Sequence, residues 1–214
     1  MAPFRKINMT KQHIILVAGA PRSGSTWCFN AIRLLLLRNS KEVYAAWCED
    51  YDPEYPSVWR LVKAHKQEQV QFEPSFIVTS YRDVCERIAS QLRMGWGQDD
   101  PEWIVKAAEN QTKLYEYWKK RSDFEVHYDD ILRKPAEAVA QLAHALRLSS
   151  KKATEIAAEL NALQPPAGGR YDGTTLLHPN HIGERQETTR KADEIRALLL
   201  SRDRCGFEKR GANN

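Results

Sequence analysis

The stretch from Val17 to Trp27, Val-Ala-Gly-Ala-Pro-Arg-Ser-Gly-Ser-Thr-Trp, constrains this chain more than any other. The apolar run His13 to Val17 before it predicts a buried parallel strand, and Cys28 to Leu37 after it predicts a helix with few polar interruptions. A strand, a glycine-containing turn and a helix make a phosphate-binding loop, in which backbone N–H groups and the helix N-terminus face an anion. Gly19 and Gly24 stand at the Walker A interval, but Ser25, followed by Thr26, replaces the lysine of G-x-x-x-x-G-K-[ST]. The cation has moved into the loop as Arg22. Such a loop suits a phosphate ester other than a nucleoside triphosphate. The bland alternative is a Gly/Ser turn, and the flanking strand and helix weigh against it.

Downstream, apolar strand-like runs alternate with helical patterns, which predicts a single α/β domain over residues 1–214 with a parallel sheet flanked by helices. Strands are expected at Glu42 to Ala46, Arg60 to Ala64, Ser75 to Ser80 and Phe124 to Tyr128. Helices are expected at Val84 to Met94, from Pro101 along a stripe ending near Trp118, and at Ala136 to Leu146, Lys151 to Leu163 and Lys191 to Ser201. The aromatics of the Pro101 stripe read as core. Gln164 to Arg170 reads as a linker, Tyr171 to Arg190 as irregular, and 1–12 and 203–214 as flexible ends. A formal net charge of +4 suits an anionic ligand but lacks the dense basic blocks of many nucleic-acid binders, so no nucleic-acid partner is expected. The strongest apolar run, Leu34 to Leu37, is far too short to span a bilayer, and residues 1–12 lack an apolar signal core. No membrane association and a cytoplasmic location are therefore expected. The four cysteines, Cys28, Cys48, Cys85 and Cys205, have no metal-ligand spacing and read as buried or free thiols. His178 and His181 lack acidic or cysteine companions, so no metal is expected.

Two further clusters bear on chemistry. In Ser80-Tyr-Arg-Asp-Val-Cys-Glu-Arg-Ile-Ala-Ser90, Arg82 falls at a strand-to-helix turn, where open α/β sheets bind ligands, and Ser90 lies about two turns along the helix. Taken alone, its Arg-Asp pair is also ordinary helix capping. In Leu61-Val-Lys-Ala-His65, an unperturbed imidazole titrates near neutrality and can act as a general base, while Lys63 shares a strand face with it and can stabilise developing charge. The bland reading of His65 is a surface histidine among basic neighbours.

Pro21-Arg-Ser-Gly-Ser-Thr-Trp27 resembles the 5′-phosphosulfate loop of the sulfotransferases that use 3′-phosphoadenosine 5′-phosphosulfate (PAPS), usually P-K-S/T-G-T/S-T-W/L. Arg82 and Ser90 are similar in spacing to that family's 3′-phosphate ligands, and Lys63-Ala-His65 resembles its K-T/S-H element, with Ala64 for the usual Thr or Ser. Val126 to Pro135 resembles its Y-E-D-L-x-x-x-P segment, which sets Tyr128 near the nucleotide. The resemblance spans roughly residues 13 to 150 and implies a P-loop-type fold and PAPS as sulfuryl donor. It implies Ser23, Gly24, Ser25 and Thr26 around the 5′-phosphate and Arg22, where the family usually has Lys, at the bridging oxygen. Trp27 would lie on the adenine or in the core, and His65 would be the base. The family's R-K-G-x-x-G loop is absent; Arg185 is the first choice for its cation and Arg190 the second.

The expected reaction moves a sulfuryl group from PAPS to a hydroxyl or amine of a small-molecule acceptor. A carboxylate base is the alternative to His65, with Glu49, Asp50, Asp52 and Glu54 nearby. The rival functions are a P-loop small-molecule kinase, opposed by Ser25, and a nucleotide-binding module without transfer activity. Neither the acceptor nor the oligomeric state is legible.

Overall fold

The computed structural model describes residues 13–166, 171–179 and 185–211, apart from the side chains of 185 and 203–211. Its centre is strand β1 (His13–Ala18), where Ile15, Leu16, Val17 and Ala18 are all buried. An apolar run without alternation is what a strand covered on both faces requires. Around it the chain builds β2 (Val43–Trp47), β3 (Trp59–Ala64), β4 (Phe76–Tyr81) and β5 (Phe124–His127). All pair in parallel in the order β2-β3-β1-β4-β5. The fold is α/β, as expected.

From β1 the chain passes through α1 (Ser25–Arg38) to the outer strand β2, then returns to β3 beside β1. It next crosses β1 to reach β4 on the other side. This reversal of direction leaves a crevice at the carboxyl ends of β1, β3 and β4, where the connecting loops diverge. The remaining helices are α2 (Val84–Arg93), α3 (Pro101–Lys119), α4 (Tyr128–Arg133), α5 (Pro135–Ala145), α6 (Ala153–Ala162) and α7 (Arg185–Gly211).

Strand parity divides the core. Ile15, Val17, Leu61 and Val78 pack with Phe29, Ile32, Leu35, Leu142 and Ile156 beneath α1, α5 and α6. Leu16, Ala18, Val62 and Ala64 face Trp118 of α3 instead. A smaller cluster joins Ile88, Ile104 and Ile195, from α2, α3 and α7. Helix starts follow local chemistry: Asp83 accepts from Glu86 N at 3.1 Å before α2, and Asp100 accepts from Glu102 N and Trp103 N, each at 3.0 Å, before α3.

Two elements differ from expectation. The residues after β5 turn into α4, because Tyr128 to Arg133 can bury Ile131 against the core once the strand ends. Helix α7 starts at Arg185, within the stretch expected to be irregular; Thr188, Ala192 and Ile195 are buried at helical spacing. The segment 1–12 lies outside the described residues.

Phe29 is fully buried between α1 and the sheet. Phe29→Ala is expected to cost about 3–5 kcal/mol of stability through lost burial and a residual cavity. Urea unfolding of the two proteins measures the difference.

Candidate functional site

The turn between β1 and α1 carries the first part of the site. Arg22 and Gly24 both adopt left-handed backbone conformations, at φ 67° and 101°. A Cβ on Gly24 would meet Ile131 Cδ1 at 2.9 Å and the Tyr128 ring at 3.1 Å, so α4 approaches closely only because this residue is glycine. Ser23 is buried under the turn and shares a 2.7 Å hydrogen bond with Ser80 at the end of β4. No side chain caps α1, and its first turn holds no acid. Its leading N–H groups and positive end therefore suit an anion.

One cluster lies on the β3 side. Lys63 has the parity of Leu61, which puts it on the face that carries α1, and its Nζ donates to Thr26 Oγ1 at 2.9 Å. Its amine lies 5.4 Å from the centre of the Trp47 ring, and no carboxylate pairs with it among the described residues. Burial, and next the charge of Arg22, pushes the Lys63 ammonium down to about 7. Just past the strand, His65 Nδ1 lies 2.8 Å from Gly19 O. A carbonyl only accepts, so Nδ1 carries the proton and Nε2 is the basic nitrogen of the neutral ring. The Trp118 indole donates to His65 O at 2.7 Å, and Trp47 meets the imidazole edge-on.

The second cluster lies on the β4–α2 side. Arg82 Nε donates to Glu86 at 2.9 Å, Nη1 donates to Arg22 O at 3.3 Å, and the guanidinium sits 4.1 Å from the Tyr128 ring centre. Arg22 Nε donates to Ser90 Oγ at 2.9 Å. Burial first, then repulsion from Arg93 and Arg82, pushes the Arg22 guanidinium down to about 10. Arg22, Arg82 and Ser90 thus meet on one side of the loop, and Lys63, Thr26 and His65 on the other.

A cavity of about 470 Å³ adjoins both clusters. Arg22, Gly24, Ser25, Thr26, Lys63 and His65 line it, together with Trp27, Arg82 and Tyr128. Its far wall, from Ile131, Leu132 and Pro135 to Leu160, Leu163 and Leu177, is mostly apolar. Trp27 lines this cavity while packing on the core, and its Nε1 is buried without a hydrogen-bond partner.

The remaining expected residues stand elsewhere. Glu49, Asp50, Asp52 and Glu54 are absent from the lining; Glu49 instead accepts from Gln69, and Asp52 accepts from Glu54 N. Arg190 is exposed and pairs with Glu194. The side chain of Arg185, like His181, lies outside the described residues. Trp96, within the aromatic and acidic stretch Met94 to Trp103 that the sequence marks as a candidate acceptor wall, lines the cavity with its ring centre 5.8 Å from the Arg22 guanidinium; sequence reasoning missed the apolar wall from α4 and α6. Nothing in their spacing links those residues. Asn30, also missed, ties α1 to the later chain by donating to Thr175 O at 2.7 Å.

No family model matches this chain, and no curated protein matches it significantly. Among the described residues, no group of His, Cys, Asp or Glu side chains is gathered for a metal ion, and no helix is long and apolar enough to cross a membrane.

The depressed Lys63 gives a pH signature. The unfolded chain keeps the ordinary lysine affinity for protons, so between about pH 7 and the usual lysine range it holds a proton that the folded state lacks. Stability therefore rises with pH through that window, and the cost of the buried ammonium is greatest below it. Lys63→Met is expected to be more stable than the wild type at about pH 6, with the advantage shrinking by about pH 9. Thermal unfolding without ligand, at both pH values, checks this.

Proposed function

We propose that the chain is a sulfotransferase that moves a sulfuryl group from PAPS to a hydroxyl or amine of a small acceptor. The observation that carries this reading is the meeting, around one cavity, of an uncapped anion loop with Lys63 and His65 on one side and Arg82 on the other, where buried Ser90 holds Arg22 from behind. A donor with phosphates on the 3′ and 5′ positions of one ribose needs two anion sites and an apolar slot beside them for the adenine. The loop, the Arg82 cluster and the wall beside Trp27 fit those needs. Ser25 in place of the Walker lysine argues against a nucleoside triphosphate.

The chemistry parallels phosphoryl transfer, with in-line attack and charge spread over peripheral oxygens, so the protein contributes mainly position and charge. The loop amides with Ser25 and Thr26 hold the 5′-phosphate, and Arg22 and Lys63 are the cations available for charge on the departing phosphate. His65, held by Gly19 O with Nε2 as its basic nitrogen, takes the acceptor proton. The carboxylates of residues 49–54 do not line the cavity, which favours the histidine.

PAP, the desulfated product nucleotide, is expected to raise the thermal midpoint, since a ligand selective for the folded state stabilises it. Arg82→Ala is expected to weaken PAP far more than adenosine 5′-phosphosulfate, which lacks the 3′-phosphate. Equal losses remove Arg82 from that role, and a larger shift with magnesium ATP than with PAP favours a kinase.

Once a panel of phenols, sugars, alcohols and amines has yielded an acceptor, His65→Ala is expected to lower turnover by about 10²–10⁴-fold with little change in PAP affinity. The acid limb of the wild-type rate profile, due to imidazole protonation, is expected to vanish in the variant. Wild-type turnover in His65→Ala would exclude the histidine as base.

A further inference from the structure

We propose that the two loop-side cations divide the work: Lys63 serves the departing 5′-phosphate, as its proton donor, whereas Arg22 belongs to the 3′-phosphate site with Ser90 and Arg82. This assignment rests on the sulfotransferase reading and narrows it, leaving Lys63 alone of the two cations named above at the departing phosphate.

Direction is the first ground. Arg22 has a left-handed backbone conformation, its carbonyl accepts from Arg82, and its Nε donates to Ser90, so backbone and side chain are both tied to the β4–α2 side. Lys63 comes from the opposite side of the loop, and its Nζ rests on Thr26 Oγ1 at the first turn of α1. That position adjoins the helix N-terminus, where the 5′-phosphate is expected, and His65 follows it on the same chain segment.

Chemistry is the second ground. A guanidinium holds its proton too tightly to act as an acid, whereas an amine can give one up. Lys63 is 4% exposed and has no carboxylate partner among the described residues, so a phosphate is the counter-ion its position lacks. Burial has already brought its amine near neutrality, the range in which an acid catalyst works best. In the step, the bond from sulfur to the bridging oxygen breaks and its electron pair stays on the phosphate oxygen, which takes the Lys63 proton. The acceptor oxygen or nitrogen bonds to sulfur and gives its own proton to His65 Nε2.

Calorimetry with PAP and with AMP, which shares the 5′-phosphate but lacks the 3′-phosphate, tests the division. Arg22→Ala is expected to weaken PAP by about 10- to 100-fold, the value of a charged hydrogen bond, and AMP by less than about threefold. AMP binding at about pH 8.5, repeated in buffers of different ionisation heat, is expected to take up close to one proton in the wild type. Lys63→Met and Lys63→Arg are both expected to abolish that uptake, since neither residue has a proton to gain. Equal loss of AMP and PAP in Arg22→Ala, or proton uptake that persists in Lys63→Arg, overturns the division while leaving the sulfotransferase reading intact. If the wild type binds neither nucleotide, that reading fails, and this assignment fails with it.

Discussion

Beneath the anion loop, the hydroxyls of Ser23 and Ser80 share a buried 2.7 Å hydrogen bond. It fastens the turn after β1 to the end of β4, the strand that leads to Arg82. Gly19 lies directly against this bond, where an added Cβ would stand 3.3 Å from Ser23 Oγ and 3.4 Å from Ser80 Oγ. The Gly19 carbonyl in turn holds His65 from β3. Three neighbouring strands are thereby referenced to one short turn, so the spacing between the clusters follows from the sheet's geometry. Sites positioned by rigid elements keep their geometry better than sites built on loops alone.

The electrostatics run against folding. Arg22, Lys63 and Arg82 gather at the carboxyl edge, where burial and next the charge of Arg22 depress Lys63, while burial and then Arg93 and Arg82 depress Arg22. Glu86 pairs with Arg82, whereas Lys63 has no carboxylate among the described residues. A fold that buries like charges together gives up stability, a deficit that a bound anion would offset. Burial first, and the Arg22 charge second, bring the Lys63 ammonium down to about 7. An arginine under similar pressure stays charged, because it starts from a far higher affinity.

Much of the architecture was legible because it rests on local signals. The unbroken apolar run of β1 and the glycine turn after it predicted the centre of the sheet, and the alternation of strand and helix patterns predicted parallel pairing. The start of α7 was not legible. Its first turns carry Gln186, Glu187, Thr188 and Arg190, and only the burial of Thr188 and Ala192 against neighbouring helices makes that polar segment a helix. Helix α4 was hidden for a related reason: one buried residue, Ile131, does not make a period.

The sequence by itself singled out the candidate residues of the site. Arg22, Ser23, Lys63, His65, Arg82 and Ser90 stand at strand ends or on the helix that follows one, and strand ends can be read from hydrophobic pattern alone. It also determined, by strand parity, that Lys63 and His65 share a face of the strand. Only the tertiary structure decided which of these groups meet. That Arg22 reaches Ser90 across 68 positions, and Lys63 reaches Thr26 across 37, depends on β1 lying between β3 and β4. The apolar wall from Ile131 to Leu177 was likewise set by tertiary packing alone, because hydrophobic residues distant in the chain bear no local mark of the surface they will share.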